Sequence, residues 1–85
     1  MNKTLTFDAE MPETPEVTVT LGEEDGDSTY SKVVIKTRAG SWSFEAAGDR
    51  LADSQQITIR ADGNWEREGL AEALEFAARA LRSRL

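Results

Sequence analysis

Apolar and polar residues alternate one for one through the first two thirds of the chain, then change to a spacing of three and four. In KTLTF (3–7), Leu5 and Phe7 fall on one side and Thr4 and Thr6 on the other. That period of two marks a strand with one buried face. EVTVTL (16–21) repeats it most clearly, with Val17, Val19 and Leu21 inward and Thr18 and Thr20 outward. YSKVVIKTR (30–38) sets Val33 and Ile35 inward against Lys32, Lys36 and Arg38. SWSFEA (41–46) carries Trp42, Phe44 and Ala46 to one side, and QITIRA (56–61) does the same with Ile57 and Ile59. The β-branched and aromatic residues in these stretches suit a pleated, half-buried surface.

The segments between them break the pattern. DAEMPETPE (8–16) holds both prolines, which lack a backbone donor and restrict the residue before them, so it reads as a loop. Ala39-Gly40 predicts a short turn, since glycine takes positive φ without steric cost. AGDRLADSQ (47–55) reads as a loop with at most one helical turn, anchored by Leu51. Asp62-Gly63-Asn64 ends the last strand and offers an N-cap oxygen. From Trp65 onward, Leu70, Leu74, Ala77 and Leu81 recur at helical spacing. Glu66 and Glu68 come early and Arg79, Arg82 and Arg84 late, as the helix dipole favours.

Five strands without crossover helices, then one helix, predict an α+β fold. Its five-stranded, mostly antiparallel sheet has the C-terminal helix packed on the inner face. A chain of 85 residues forms one small domain, 1–85. The expected inward residues are Leu5, Phe7, Val17, Val19, Leu21, Val33, Ile35, Trp42, Phe44, Ile57, Ile59, Leu70, Leu74, Ala77 and Leu81.

Charge changes the picture more than composition does. The net charge is −6, and its layout is lopsided. Residues 1–31 carry Lys3 against Asp8, Glu10, Glu13, Glu16, Glu23, Glu24, Asp25 and Asp27, a net of −7; the remaining nine bases and eight acids give +1. Such asymmetry bears on solubility and partners rather than on fold. There is no Cys and no His, which removes thiol nucleophiles, thiolate metal sites and the usual general base. Neither a phosphate-binding loop nor a glycine-rich dinucleotide turn is present, and no nucleophile sits beside a plausible base. The expectation is a chain that is not an enzyme and uses no cofactor. MNKTLTFDAEM has no apolar leader region, and no apolar run approaches the ~20 residues of a membrane span, so a cytoplasmic location is expected.

Two surfaces are candidates for contact. GEEDGDS (22–28) has the composition of a solvated hairpin tip. It is not a calcium loop: with Asp25 in the first position, the sixth would be Tyr30 and the twelfth Lys36. The loop 8–16 carries the other acids of the first third, at the opposite end of the EVTVTL strand, about 20 Å away for six residues. The carboxylates Asp8, Glu10, Glu13, Glu16, Glu23, Glu24, Asp25 and Asp27 would then line an edge. Such a line either deters strand pairing or imitates the spaced charge of a nucleic-acid backbone. Lys32, Lys36, Arg38 and Arg60 on the outer sheet face have only Tyr30 as an aromatic companion, which argues against direct nucleic-acid binding. The second surface is a helix stripe of Trp65, Gly69, Ala73, Phe76 and Ala80, either buried in the concave sheet or exposed for a partner or a homodimer.

The reading that unites these features is a non-enzymatic module whose acidic third docks on, and blocks, a basic surface of a larger, nucleic-acid-handling protein. In size, acidity and lack of catalytic residues the chain resembles the small inhibitors that phages use against host restriction or CRISPR systems. That resemblance implies charge mimicry of DNA. The competing expectations are a self-associating structural or adaptor domain that uses the Trp65 and Phe76 stripe, and an immunity protein that neutralises a toxin.

Overall fold

The computed structural model describes residues 2–24, 28–51 and 55–83. Alternation becomes strand where it was expected in β1 (Lys3–Phe7), β2 (Glu16–Glu24), β3 (Ser28–Lys36) and β6 (Gln56–Asp62). These four strands form one antiparallel sheet in the order β1-β2-β3-β6. The register sets Leu5 opposite Val19, Val19 opposite Val33, and Val33 opposite Ile59. An apolar row therefore crosses the sheet from edge to edge. The chain ends in one helix, α1 (Asn64–Arg82).

The fifth expected strand is absent from this sheet. Each strand has two sides for pairing, and those of β3 are taken by β2 and β6. The ladder with β6 runs one step past Lys36, because the Thr37 N–H donates to the Gln55 carbonyl at 2.8 Å. SWSFEA is thereby excluded from pairing with β3, the strand it follows in the chain. Gly40 turns at φ 98°, and the Trp42 indole folds back to donate to the Ala39 carbonyl at 2.7 Å. Trp42 ends up exposed and Phe44 half-buried, neither of them on the sheet. What remains is a small hairpin, β4 (Glu45–Ala46) and β5 (Asp49–Arg50), turned by Ala47 and Gly48 at φ 52° and 86°. Two successive positive φ values are what a two-residue hairpin turn requires. Gly48 to Arg50 thus belong to a hairpin where a turn of helix was one expectation, while Ala52 to Ser54 lie outside the described residues.

On the outer face, Gly22 pairs with Tyr30, and the ring lies across the glycine so closely that a Cβ there would overlap it. Gly22 is buried as a result. An aromatic side chain covering a cross-strand glycine repairs the packing that the glycine lacks. The same ring is flanked by the Arg60 guanidinium at 4.6 Å and the Lys32 ammonium at 5.8 Å, both within cation–π range.

On the inner face, α1 approaches β3 and β6 and stays off β1 and β2. The most buried residues accordingly lie on the covered half, Val33 at 6 % and Ser31 at 3 % exposed. Arg67 ties helix to strand: its Nε donates to Ser31 Oγ at 2.6 Å and its Nη2 to the Tyr30 carbonyl at 3.0 Å. The helix faces the sheet with Arg67, Leu70, Ala71 and Leu74, which keeps Leu70 and Leu74 of the expected stripe and has Arg67 and Ala71, nearer the helix start, in place of Ala77 and Leu81. Ala77 is exposed and Leu81 is 86 % exposed, because the end of the helix overhangs the sheet. Leu5 and Phe7 share the inner face but lie over its uncovered half and remain exposed. The expected N-cap oxygen is also missing. Gly63 caps the helix at φ 108° without a side-chain bond, since Asp62 Oδ1 accepts from Arg60 at 2.9 Å and Asn64 Oδ1 from the Thr29 hydroxyl at 3.2 Å.

Arg67→Met should preserve the fold and lower its stability by about 1–3 kcal/mol, since the buried Ser31 hydroxyl loses its charged donor. Adding Ser31→Ala should return part of that loss. Urea unfolding of the parent, both single variants and the double variant measures the coupling.

Candidate functional site

The eight acids of the first third do not form one surface. β2 runs inside the sheet, between β1 and β3, so its acidic positions fall at the two ends of the sheet rather than along an edge. Glu16 opens β2 and Glu24 closes it, about 27 Å apart at strand rise. The edges are β1 and β6, and neither expected role along an edge, pairing deterrent or continuous charge mimic, matches this arrangement.

At the first end, Arg38 organises the loop that joins β1 to β2. Its Nη1 meets Asp8 Oδ1 at 2.7 Å. Nη2 donates to the carbonyls of Ala9 at 2.6 Å, Met11 at 2.9 Å and Thr14 at 3.0 Å, and Nε also reaches Thr14 at 3.2 Å. A guanidinium is the side chain whose fixed fork of donors can collect so many acceptors at once. This use of Arg38 was not legible in the sequence, where it reads as an outward strand residue. It withdraws Asp8 from any partner-facing set. Glu16 stands opposite Lys36 in the β2–β3 register and is half-buried. Glu10 and Glu13 are exposed, and among the described residues neither is in an ion pair.

At the other end, Glu23 is exposed and pairs across the sheet with Thr29. Asp25 and Asp27 lie outside the described residues. Three carboxylates, Glu10, Glu13 and Glu23, are therefore seen facing solvent at two separate ends. Between them the outer face carries Lys32 and Arg60 around Tyr30. Among the described residues no group of three carboxylates could hold a metal ion together. No helix there is long and apolar enough to cross a membrane.

The stripe of Trp65, Gly69, Ala73, Phe76 and Ala80 is exposed along its whole length. Trp65 is 88 % and Phe76 64 % accessible. On a wheel of about 100° per residue its centre lies about 150° from that of Arg67, Leu70, Ala71 and Leu74, the residues that meet the sheet. The stripe thus points away from the sheet. Between helix and sheet an open groove of about 230 Å³ remains, lined by Val19, Leu21, Val33, Leu70 and Leu74, with Arg67 among them.

Arg38→Lys keeps the charge but supplies no fork, so the loop should loosen while the sheet persists. Limited proteolysis should cut within residues 9–15 several-fold faster in this variant than in the parent. An unchanged cleavage pattern would mean that the loop is held by its prolines alone. Comparison with family models, curated proteins and solved structures finds no match, so the chain's function is read from its own geometry.

Proposed function

We propose that this chain is a non-enzymatic binding module that docks through its acidic ends on a basic surface of a larger protein. The observation that carries this is the acidic excess of the first third, eight acids against one base, of which Glu10, Glu13 and Glu23 face outward and lie outside any ion pair among the described residues, while Arg38 pairs with Asp8. Outward carboxylates near the two ends of β2, whose nine residues span about 27 Å, favour a partner with two positive zones a comparable distance apart, or one basic groove of that order of length. Proteins that handle nucleic acid carry such grooves, and a module seated there would exclude the natural ligand. The long-range field speeds encounter, and salt weakens it.

Glu10→Lys, Glu13→Lys and Glu23→Lys together should leave the circular dichroism and the unfolding midpoint close to those of the parent. Partners recovered from source cells by the parent at low salt should bind the triple variant at least tenfold more weakly, with a flatter salt dependence. Equal affinity and equal salt slope would remove the acidic ends from the account.

A further inference from the structure

The solvent side of α1 fits a second copy of this chain, and we infer that the protein forms a two-fold homodimer by antiparallel pairing of α1 through Trp65, Gly69, Ala73, Phe76 and Ala80. The inference goes beyond the docking reading and uses a different surface. Its first support is area. The chain exposes 6975 Å². A compact monomer of 85 residues would expose about 5,000 Å². The radius of gyration is 14.5 Å, against about 12 Å for a compact domain of this length. A stable dimer covers about 800 Å² on each partner, less than that excess, to which the exposed Trp65 and Phe76 of α1 contribute together with the bare half of the sheet.

The second support is the order of large and small side chains. In a two-fold antiparallel pair each contact occurs twice, residue i of one copy on residue j of the other and j on i. An axis beside Ala73 puts Trp65 opposite Ala80 and Gly69 opposite Phe76 in the same register. Each ring then meets a small residue of the second copy. Gly69 has open space where its Cβ would be, room for an incoming ring. Small residues at the crossing let helix axes come within the usual 8–10 Å. On one flank of the stripe, the same register sets Glu68 opposite Ala77 of the second copy, two residues or about 3 Å of rise from its Arg79, a gap these long side chains can span. Glu72, exposed in the single chain, lies on the rim near the axis, where the two copies' carboxylates approach each other and add to the repulsion that salt screens.

Electrostatics fixes a sign that separates this pairing from docking on a basic partner. Two copies of net charge −6 repel, so screening should tighten the dimer. Binding to a basic surface should instead weaken as salt rises.

Sedimentation equilibrium of the full chain should give twice the monomer mass at high protein concentration, with the dissociation constant falling from low to moderate salt. Ala73→Arg retains helix propensity and puts a charge at the axis. It should stay folded by circular dichroism and sediment as a monomer where the parent is dimeric. Gly69→Leu should weaken the dimer at least tenfold by meeting the second copy's ring, and adding Phe76→Ala should recover most of that loss. Because the chain has no Cys, Ala73→Cys should oxidise to a covalent dimer, while Ala71→Cys, on the sheet-facing side, should not. A monomer at every concentration and salt overturns the inference and leaves the docking reading standing. A dimer untouched by Ala73→Arg overturns this interface. A dimer that meets all these outcomes but recovers no basic partner leaves the pairing intact and removes the docking.

Discussion

Four strands spaced about 4.8 Å apart make a sheet face that a single helix, about 10 Å across with its side chains, cannot cover. Here α1 lies over β3 and β6, and that choice decides what is core and what is surface. Val33, Ser31 and Ala61 are buried beneath it, while Phe7 keeps 57 % of its surface in water although it points to the same side. The expected fifth strand would have widened the sheet further. Its exclusion leaves a narrower sheet, still half bare on its apolar side.

The bare half explains why the contact between helix and sheet is partly polar. A helix held by apolar contacts alone would slide toward the middle of the sheet, where more surface is covered. Arg67 resists this by spending two donors on Ser31 Oγ and the Tyr30 carbonyl, both on β3. Hydrogen bonds from a charged donor are directional and stronger than neutral ones, so they set position where packing alone leaves it loose. Thr29 adds a second tie through its hydroxyl to Asn64 Oδ1 at the first turn. Both ties act near the start of α1, and its last turns are left to overhang.

Strands β1, β2, β3 and β6 were legible from the sequence because period-two alternation is a local signal that pairing rarely overrides. SWSFEA carried the same signal, but whether a strand joins a sheet depends on a free neighbouring side, and β3 had none. The helix was legible in extent, and Leu70 and Leu74 meet the sheet as expected, but the expected contacts of Ala77 and Leu81 fail where its end overhangs. Its apolar arc is wide, so spacing alone could not say which part meets the sheet; the arginine within the arc, Arg67, marked the buried side through its hydrogen bonds. That the two acidic stretches flank β2 was legible from the hairpin topology; that β2 is an inner strand, so that they line no edge, was not. The use of Arg38 was not, because it depends on four acceptors that loop 8–15 brings around one guanidinium.

Helix stripe and acidic ends lie on different elements, so the two proposed contacts do not compete for the same atoms. Their electrostatics do interact. Each copy added to an assembly brings six negative charges, and repulsion between copies grows as salt falls. A basic partner reverses that balance, because its positive surface neutralises the acidic ends and lowers the cost of holding two copies together. Dimerisation in turn offers such a partner twice as many acidic ends on one body, which raises avidity when its basic zones can reach both. Partner binding and self-association would then reinforce each other, as any two equilibria must when one relieves what opposes the other.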